Sequence, residues 1–89
     1  MSIDQDLLRA AVENPAGIRF EDAWKLAKQM GWIEERTKGS HVIFRHPKAY
    51  LIRSAYPRPL NLQRGNSGKA KAYQVLQMLE MARKMGIIE

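Results

Sequence analysis

Two three-residue turn signals constrain this chain more than any other feature. Residues 37–39 (Thr-Lys-Gly) and 46–48 (His-Pro-Lys) separate three short β-rich runs, residues 32–36, 40–45 and 49–54. Connections this short leave only antiparallel neighbours, because a parallel return needs a crossover of a dozen residues or more. The central run carries Val42-Ile43-Phe44 and the third Tyr50-Leu51-Ile52, the β-branched and aromatic content that strands favour. The expectation is a three-stranded antiparallel meander.

Helical patterns flank the meander. Residues 2–14 read as a first helix, with Ser2 and Gln5 fitting a capping box and Leu7, Leu8, Ala11 and Val12 forming an apolar stripe. Asn14-Pro15 ends it, since the residue before proline is pushed out of the helical region. Residues 20–30 read as a second helix. Phe20, Ala23, Ala27 and Met30 lie on one face, Trp24 and Leu26 flank it, and Gly31 serves as a left-handed cap. Residues 56–68 read as a loop, with Pro57, Pro59, Gly65, Asn66, Ser67 and Gly68 interrupting all periodicity. Residues 69–85 form the last helix, with Ala72, Val75, Leu76, Leu79 and Ala82 as its buried stripe.

The order is therefore α-α-β-β-β-α, an α+β fold in a single domain, residues 1–89. In a chain this short the helices can cover one face of the sheet only, and the other must meet water or a partner. The N-terminal helix, residues 1–14, is expected to pack on the core, because its apolar stripe would otherwise be exposed. Both Trp24 and Trp32 read as core residues.

Composition narrows the function classes. There is no cysteine, hence no disulfide framework and no thiolate metal site. Charges recur throughout the first thirty residues, so nothing resembles a signal peptide or membrane span. A cytoplasmic protein is the expectation. The net charge is +6, and it is segregated: residues 36–71 contain no Asp or Glu, while Arg36, Lys38, Arg45, Lys48, Arg53, Arg58, Arg64, Lys69 and Lys71 all fall there. A one-sign field of this kind suits a polyanion, and nucleic acid is the natural partner.

Strand alternation then sorts the side chains. Val42 and Phe44 are the core candidates, so His41, Ile43 and Arg45 share the open face. In the first strand either Ile33 and Glu35, or Trp32, Glu34 and Arg36, point outward; alternation alone leaves both open. His46, five residues from His41, falls on the opposite face and at a turn. It reads as a turn-stabilising residue, not half of an acid–base pair. Two separated histidines with no carboxylate in the basic stretch make no metal-ligand set, so no metal or cofactor is expected.

The stretch Gly31-Trp32, Arg36, then Lys38-Gly39-Ser40-His41-Val42-Ile43-Phe44-Arg45-His46-Pro47 resembles the HicA toxin family. Its pattern is G-(aromatic)…R…G-S-H-x-x-F-x-H-P. Downstream, Leu60-Asn61-Leu62-Gln63 and Gly68-Lys69-Ala70-Lys71, Tyr73-Gln74-Val75 look like one branch of that family. The resemblance covers residues 19–86. It implies a fold like a double-stranded-RNA-binding domain, with helices on one face of a three-stranded antiparallel sheet. It also implies an mRNA-cleaving toxin held in check by a HicB-type antitoxin in a hetero-oligomer, with His41 as the functional histidine.

The residues suit that chemistry. Metal-free RNA cleavage needs a base for the ribose 2′-hydroxyl or a water, and cations for the phosphate. Histidine titrates near neutrality and fits the first task. Lys38 and Arg45, read as flanking His41, fit the second, with Gly39 allowing close backbone approach and Ser40 orienting substrate. Arg36, Arg53, Lys69 and Lys71 complete the expected RNA-binding set. The two lysines open the last helix, where cations oppose the dipole and a bound anion would relieve the conflict. Two readings compete with the nuclease: a non-catalytic RNA-binding module of the same fold, and a subunit that only pairs with its antitoxin.

Overall fold

A computed structural model describes residues 2–52 and 59–89. In chain order it contains α1 (Gln5–Glu13), α2 (Phe20–Gln29), β1 (Ile33–Lys38), β2 (His41–Arg45), β3 (Leu60–Gln63) and α3 (Ala72–Lys84). The strands form one antiparallel sheet in the order β1-β2-β3. The element order expected from the sequence, α-α-β-β-β-α in an α+β fold, is the one observed.

The helices start and stop for local reasons. Asp4, not Ser2, caps α1: its carboxylate accepts the Leu7 N–H at 3.1 Å. A negative group at the positive end of the helix combines a cap with favourable dipole electrostatics, which outweighs the expected capping box. The Asp4 backbone N–H in turn donates to Gln29 Oε1 at 2.9 Å, joining the start of α1 to the end of α2. Ala11 is fully buried, and Leu7 and Leu8 pack against the core, so α1 does cover the domain; Val12 stays exposed.

After α2, Gly31 adopts φ +99°. Its N–H donates to Lys28 O at 3.1 Å and the Trp32 N–H to Ala27 O at 3.0 Å, closing the helix with paired reversed bonds. The same arrangement ends α3, where Gly86 bonds to Arg83 O and Ile87 to Ala82 O. Trp32 then enters the core, 2% exposed. Trp24 does not: it lies on the solvent side of α2, its indole N–H donating to Glu34 Oε1 at 2.8 Å with Lys28 over the ring.

The third strand is not where the sequence pattern placed it. Residues 49–51 form a 3-10 turn, Ala49–Leu51, in which Ala49, Leu51 and Ile52 N–H groups bond back to His46, Lys48 and Ala49 carbonyls. Tyr50 is 75% exposed, so its β-favouring side chain is not packed in a sheet. Residues 53 and 54, the rest of that expected strand, lie outside the described residues. The position beside β2 is filled instead by Leu60–Gln63, a segment read as loop. Leu60 and Leu62 are fully buried against Phe44 and Val42, with which they pair in register. The alternation apolar-polar-apolar-polar is present in those four residues, but the prolines before them masked it. Proline is tolerated at the start of a strand, where its missing N–H breaks no ladder.

α3 begins later than expected. Lys69 precedes it, in an isolated antiparallel bridge with Arg19, and Lys71 is the N-cap. Its buried stripe is Gln74, Val75, Met78, Leu79 and Ala82; Leu76 is exposed. Gln74 is the unexpected core member. Its Oε1 accepts the Gln63 N–H at 2.6 Å, which satisfies a backbone donor at the outer edge of β3. A polar side chain is stable there because its amide oxygen is paired. The helices thus cover the Val42–Phe44–Leu60–Leu62 face of the sheet and leave the other open.

Candidate functional site

Residues paired across antiparallel strands share a face, so the register builds the open surface in rows. One row is Lys38, His41 and Gln63; the next is Arg36, Ile43 and Asn61; Ile33 and Arg45 form the third. A bulge in β1 makes this possible. The register skips Glu35, running Glu34 opposite Phe44 and then Arg36 opposite Ile43. The extra residue reverses the alternation, so neither outward set expected from sequence survives intact. The bulge therefore sends Glu34 to the helix side, towards α2 and Trp24, and keeps Arg36 and Lys38 on the open face.

His41 stands half-buried at the start of β2. Its Nδ1 lies 3.2 Å from Asn61 Oδ1 on β3. The carboxamide oxygen can only accept, so this contact is a hydrogen bond in the ring state that carries a proton on Nδ1. The contact is diagonal: Asn61 sits two residues before Gln63, the direct partner of His41, within reach of a long side chain. Lys38 is in register with His41 across β1.

The turn between β1 and β2 is held from the other side of the sheet. Gly39 takes φ +61° and nothing approaches the position of a Cβ there, so the tip is open. Ser40 accepts the Arg64 N–H on its carbonyl at 3.4 Å and the Gln63 side-chain amide on its hydroxyl at 3.4 Å. The Lys71 N–H donates to Gln63 O at 3.2 Å, which extends the His41 row to the N-cap of α3. Lys38, Ser40, His41, Gln63 and Lys71 are thus neighbours along one line.

Other expected members lie apart. Arg45 is four residues along β2 from His41, ~13 Å at the rise of a strand. Ile43 intervenes, and the guanidinium is drawn to Glu35 at 4.0 Å. It does not flank His41. Lys69 is exposed, outside the helix, and its carbonyl accepts the Gly65 N–H at 2.7 Å. Arg53 lies outside the described residues. Arg64, though in the acid-free stretch, pairs with Glu21 at 2.6 Å and covers the Phe20 ring at 4.7 Å. A backbone hydrogen bond first, and Arg64 second, hold the Glu21 carboxyl below its ordinary value of 4.5. None of the ion pairs among the described residues includes Arg36, Lys38, Lys69 or Lys71.

His46 is the opposite of His41. It is buried, its Nε2 donates to Met30 O at 2.9 Å, and its Nδ1 accepts the Lys48 N–H at 3.0 Å. Its ring meets Trp32 edge-on at 5.0 Å. Gly31 lies against it so closely that a Cβ would come within 2.8 Å of Nε2. With both nitrogens engaged and no room beside it, His46 pins the 46–48 turn to the end of α2.

Asn61 and Gln63 are the site residues that sequence reasoning missed. Both lie in the Leu60-Asn61-Leu62-Gln63 segment that carries part of the family resemblance. A loop over residues 56–68, as the prolines and glycines there suggest, gives neither a role.

Residues 20–54 match the family model for the HicA toxin of bacterial toxin–antitoxin systems. The match makes that segment, under half of the chain, similar to HicA toxins. It begins with α2, takes in β1, the Gly39-Ser40-His41 turn and β2, and ends before β3. The HicA-type segment thus contains both histidines, while Asn61, Gln63 and Lys71 lie downstream of it. No curated protein and no solved structure matches the chain at comparable stringency. The family is that of toxin components, and no helix among the described residues is long and apolar enough to cross a membrane.

Proposed function

We propose that this HicA-type chain is an endoribonuclease toxin that cleaves mRNA in the cytoplasm without a metal, with His41 as general base. The observation that carries the reading is the setting of His41: half-buried on the open face, in contact through Nδ1 with Asn61, with Nε2 unpartnered among the described residues and Lys38 opposite. Nε2 takes the proton of a ribose 2′-hydroxyl, and the 2′-oxygen forms a bond to phosphorus. The P–O5′ bond breaks, leaving a 2′,3′-cyclic phosphate, and the 5′-oxygen takes a proton from solvent. Lys38 and Lys71 offset the charge on the phosphate; Arg36 engages the neighbouring backbone; Ser40 and Gly39 border the reacting group. A shallow sheet surface of this kind suits RNA, whose minor groove and single strands are accessible without a deep pocket. A HicB-type antitoxin fits as the partner that covers this basic face and blocks it.

The test is cleavage of a purified mRNA by wild type and His41→Ala, both with chelator. Wild type is expected to cleave, and the variant to lose at least about a hundredfold, the usual contribution of a general base. Equal cleavage by both removes His41 from the chemistry. Salt-sensitive RNA binding with no cleavage by either protein establishes the non-catalytic binding module instead.

A further inference from the structure

We propose that Asn61 is the positioning residue for His41, setting its tautomer and ring orientation so that Nε2 faces the substrate; this rests on the general-base reading above. A general base must present a lone pair. With Nε2 as the reactive nitrogen the proton has to sit on Nδ1, the tautomer that free histidine populates less. The Asn61 oxygen, 3.2 Å from Nδ1, favours a proton there. The backbone holds the acceptor in place, because Leu60 and Leu62 on either side are fully buried and fix the register of β3. Asn61 cannot slide without turning two leucines out of the core.

The choice of amide over carboxylate is itself informative. The charged group facing His41 from β1 is Lys38, and β3 contributes only the neutral Asn61 and Gln63. An aspartate would orient the ring as well, but would also stabilise the imidazolium and hold the proton too tightly for turnover near neutrality. It would further place a negative charge beneath the phosphate. Asparagine orients without adding charge.

The two histidines give the experiment an internal control. They are the only ones in the chain, and their contacts favour opposite tautomers: Nδ1–H for His41 and Nε2–H for His46. Long-range 15N–1H correlation spectra of histidine-labelled protein report each ring directly, with no RNA present. Wild type is expected to show one ring of each kind. In Asn61→Leu the His41 pattern is expected to move towards Nε2–H while His46 is unchanged, and kcat to fall about tenfold to a hundredfold with KM nearly unaltered. In Asn61→Asp, which keeps the acceptor and secures the test against misfolding of the leucine variant, the His41 tautomer is expected to persist. The added carboxylate should move the acid limb of the pH–rate profile to higher pH. An unchanged His41 spectrum in Asn61→Leu overturns the proposal. So does a changed spectrum with unchanged kcat and pH profile. Absence of cleavage by wild type refutes the ribonuclease reading separately, since the spectra still decide whether Asn61 sets the tautomer.

Discussion

Replacing His46 with alanine separates the two histidines of the motif most sharply. The substitution removes a donor from Met30 O, an acceptor from Lys48 N–H, and an edge-on ring contact with Trp32. Lys48 is exposed, so water replaces its lost partner at little cost. The Met30 carbonyl lies beside a buried ring, and leaving it unpaired costs about 1–3 kcal/mol. The aromatic contact adds about 1 kcal/mol. The sum, about 2–4 kcal/mol, is a large share of the stability of so small a domain. With a urea dependence of about 1 kcal/mol per molar, the unfolding midpoint should fall by about 2 M or more. His41→Ala, on the open face with a single partly exposed hydrogen bond, should change stability by no more than about 1 kcal/mol. Urea unfolding followed by circular dichroism measures both. The reasoning is refuted if His46→Ala keeps the wild-type midpoint yet abolishes cleavage, because His46 would then act in the chemistry and not in the fold.

Two further outcomes follow from the charge layout. Lys38→Ala should weaken RNA binding evenly across sequences and lower the slope of log K against log salt by about 1, one phosphate contact; an unchanged slope places Lys38 away from the backbone. The Glu21 carboxyl is held below its ordinary value by its backbone hydrogen bond and by Arg64. A depressed acid stabilises the fold above pH 4.5 and loses that contribution as pH falls through its lowered value. Glu21→Gln should therefore lower the urea midpoint at neutral pH and converge with wild type in acid; a gap that widens on acidification contradicts this pairing.

Local pattern determined a good deal of this protein. Gly31 and Gly86 end their helices because only a left-handed residue closes those bonds, and a glycine announces that requirement in sequence. The inward set Val42 and Phe44, and so the outward set His41, Ile43 and Arg45, follows from strand alternation, which needs no knowledge of the partner strand. The antiparallel pairing of β1 with β2 follows from the short connection between them, and the acid-free stretch 36–71 from reading charges. What tertiary structure alone decided are the pairings between distant segments. Tyr50-Leu51-Ile52 has better strand composition than Leu60-Asn61-Leu62-Gln63, yet the latter pairs with β2, because its two leucines complete the core beneath Val42 and Phe44. The bulge at Glu35 cannot be seen in alternation, since it is the point where alternation fails, and it decides which β1 charges face outward. The Met30 carbonyl that engages His46 and the Asn61 oxygen that engages His41 come from 16 and 20 residues away. Such contacts are set by how the elements pack, and periodicities within a single element do not encode them.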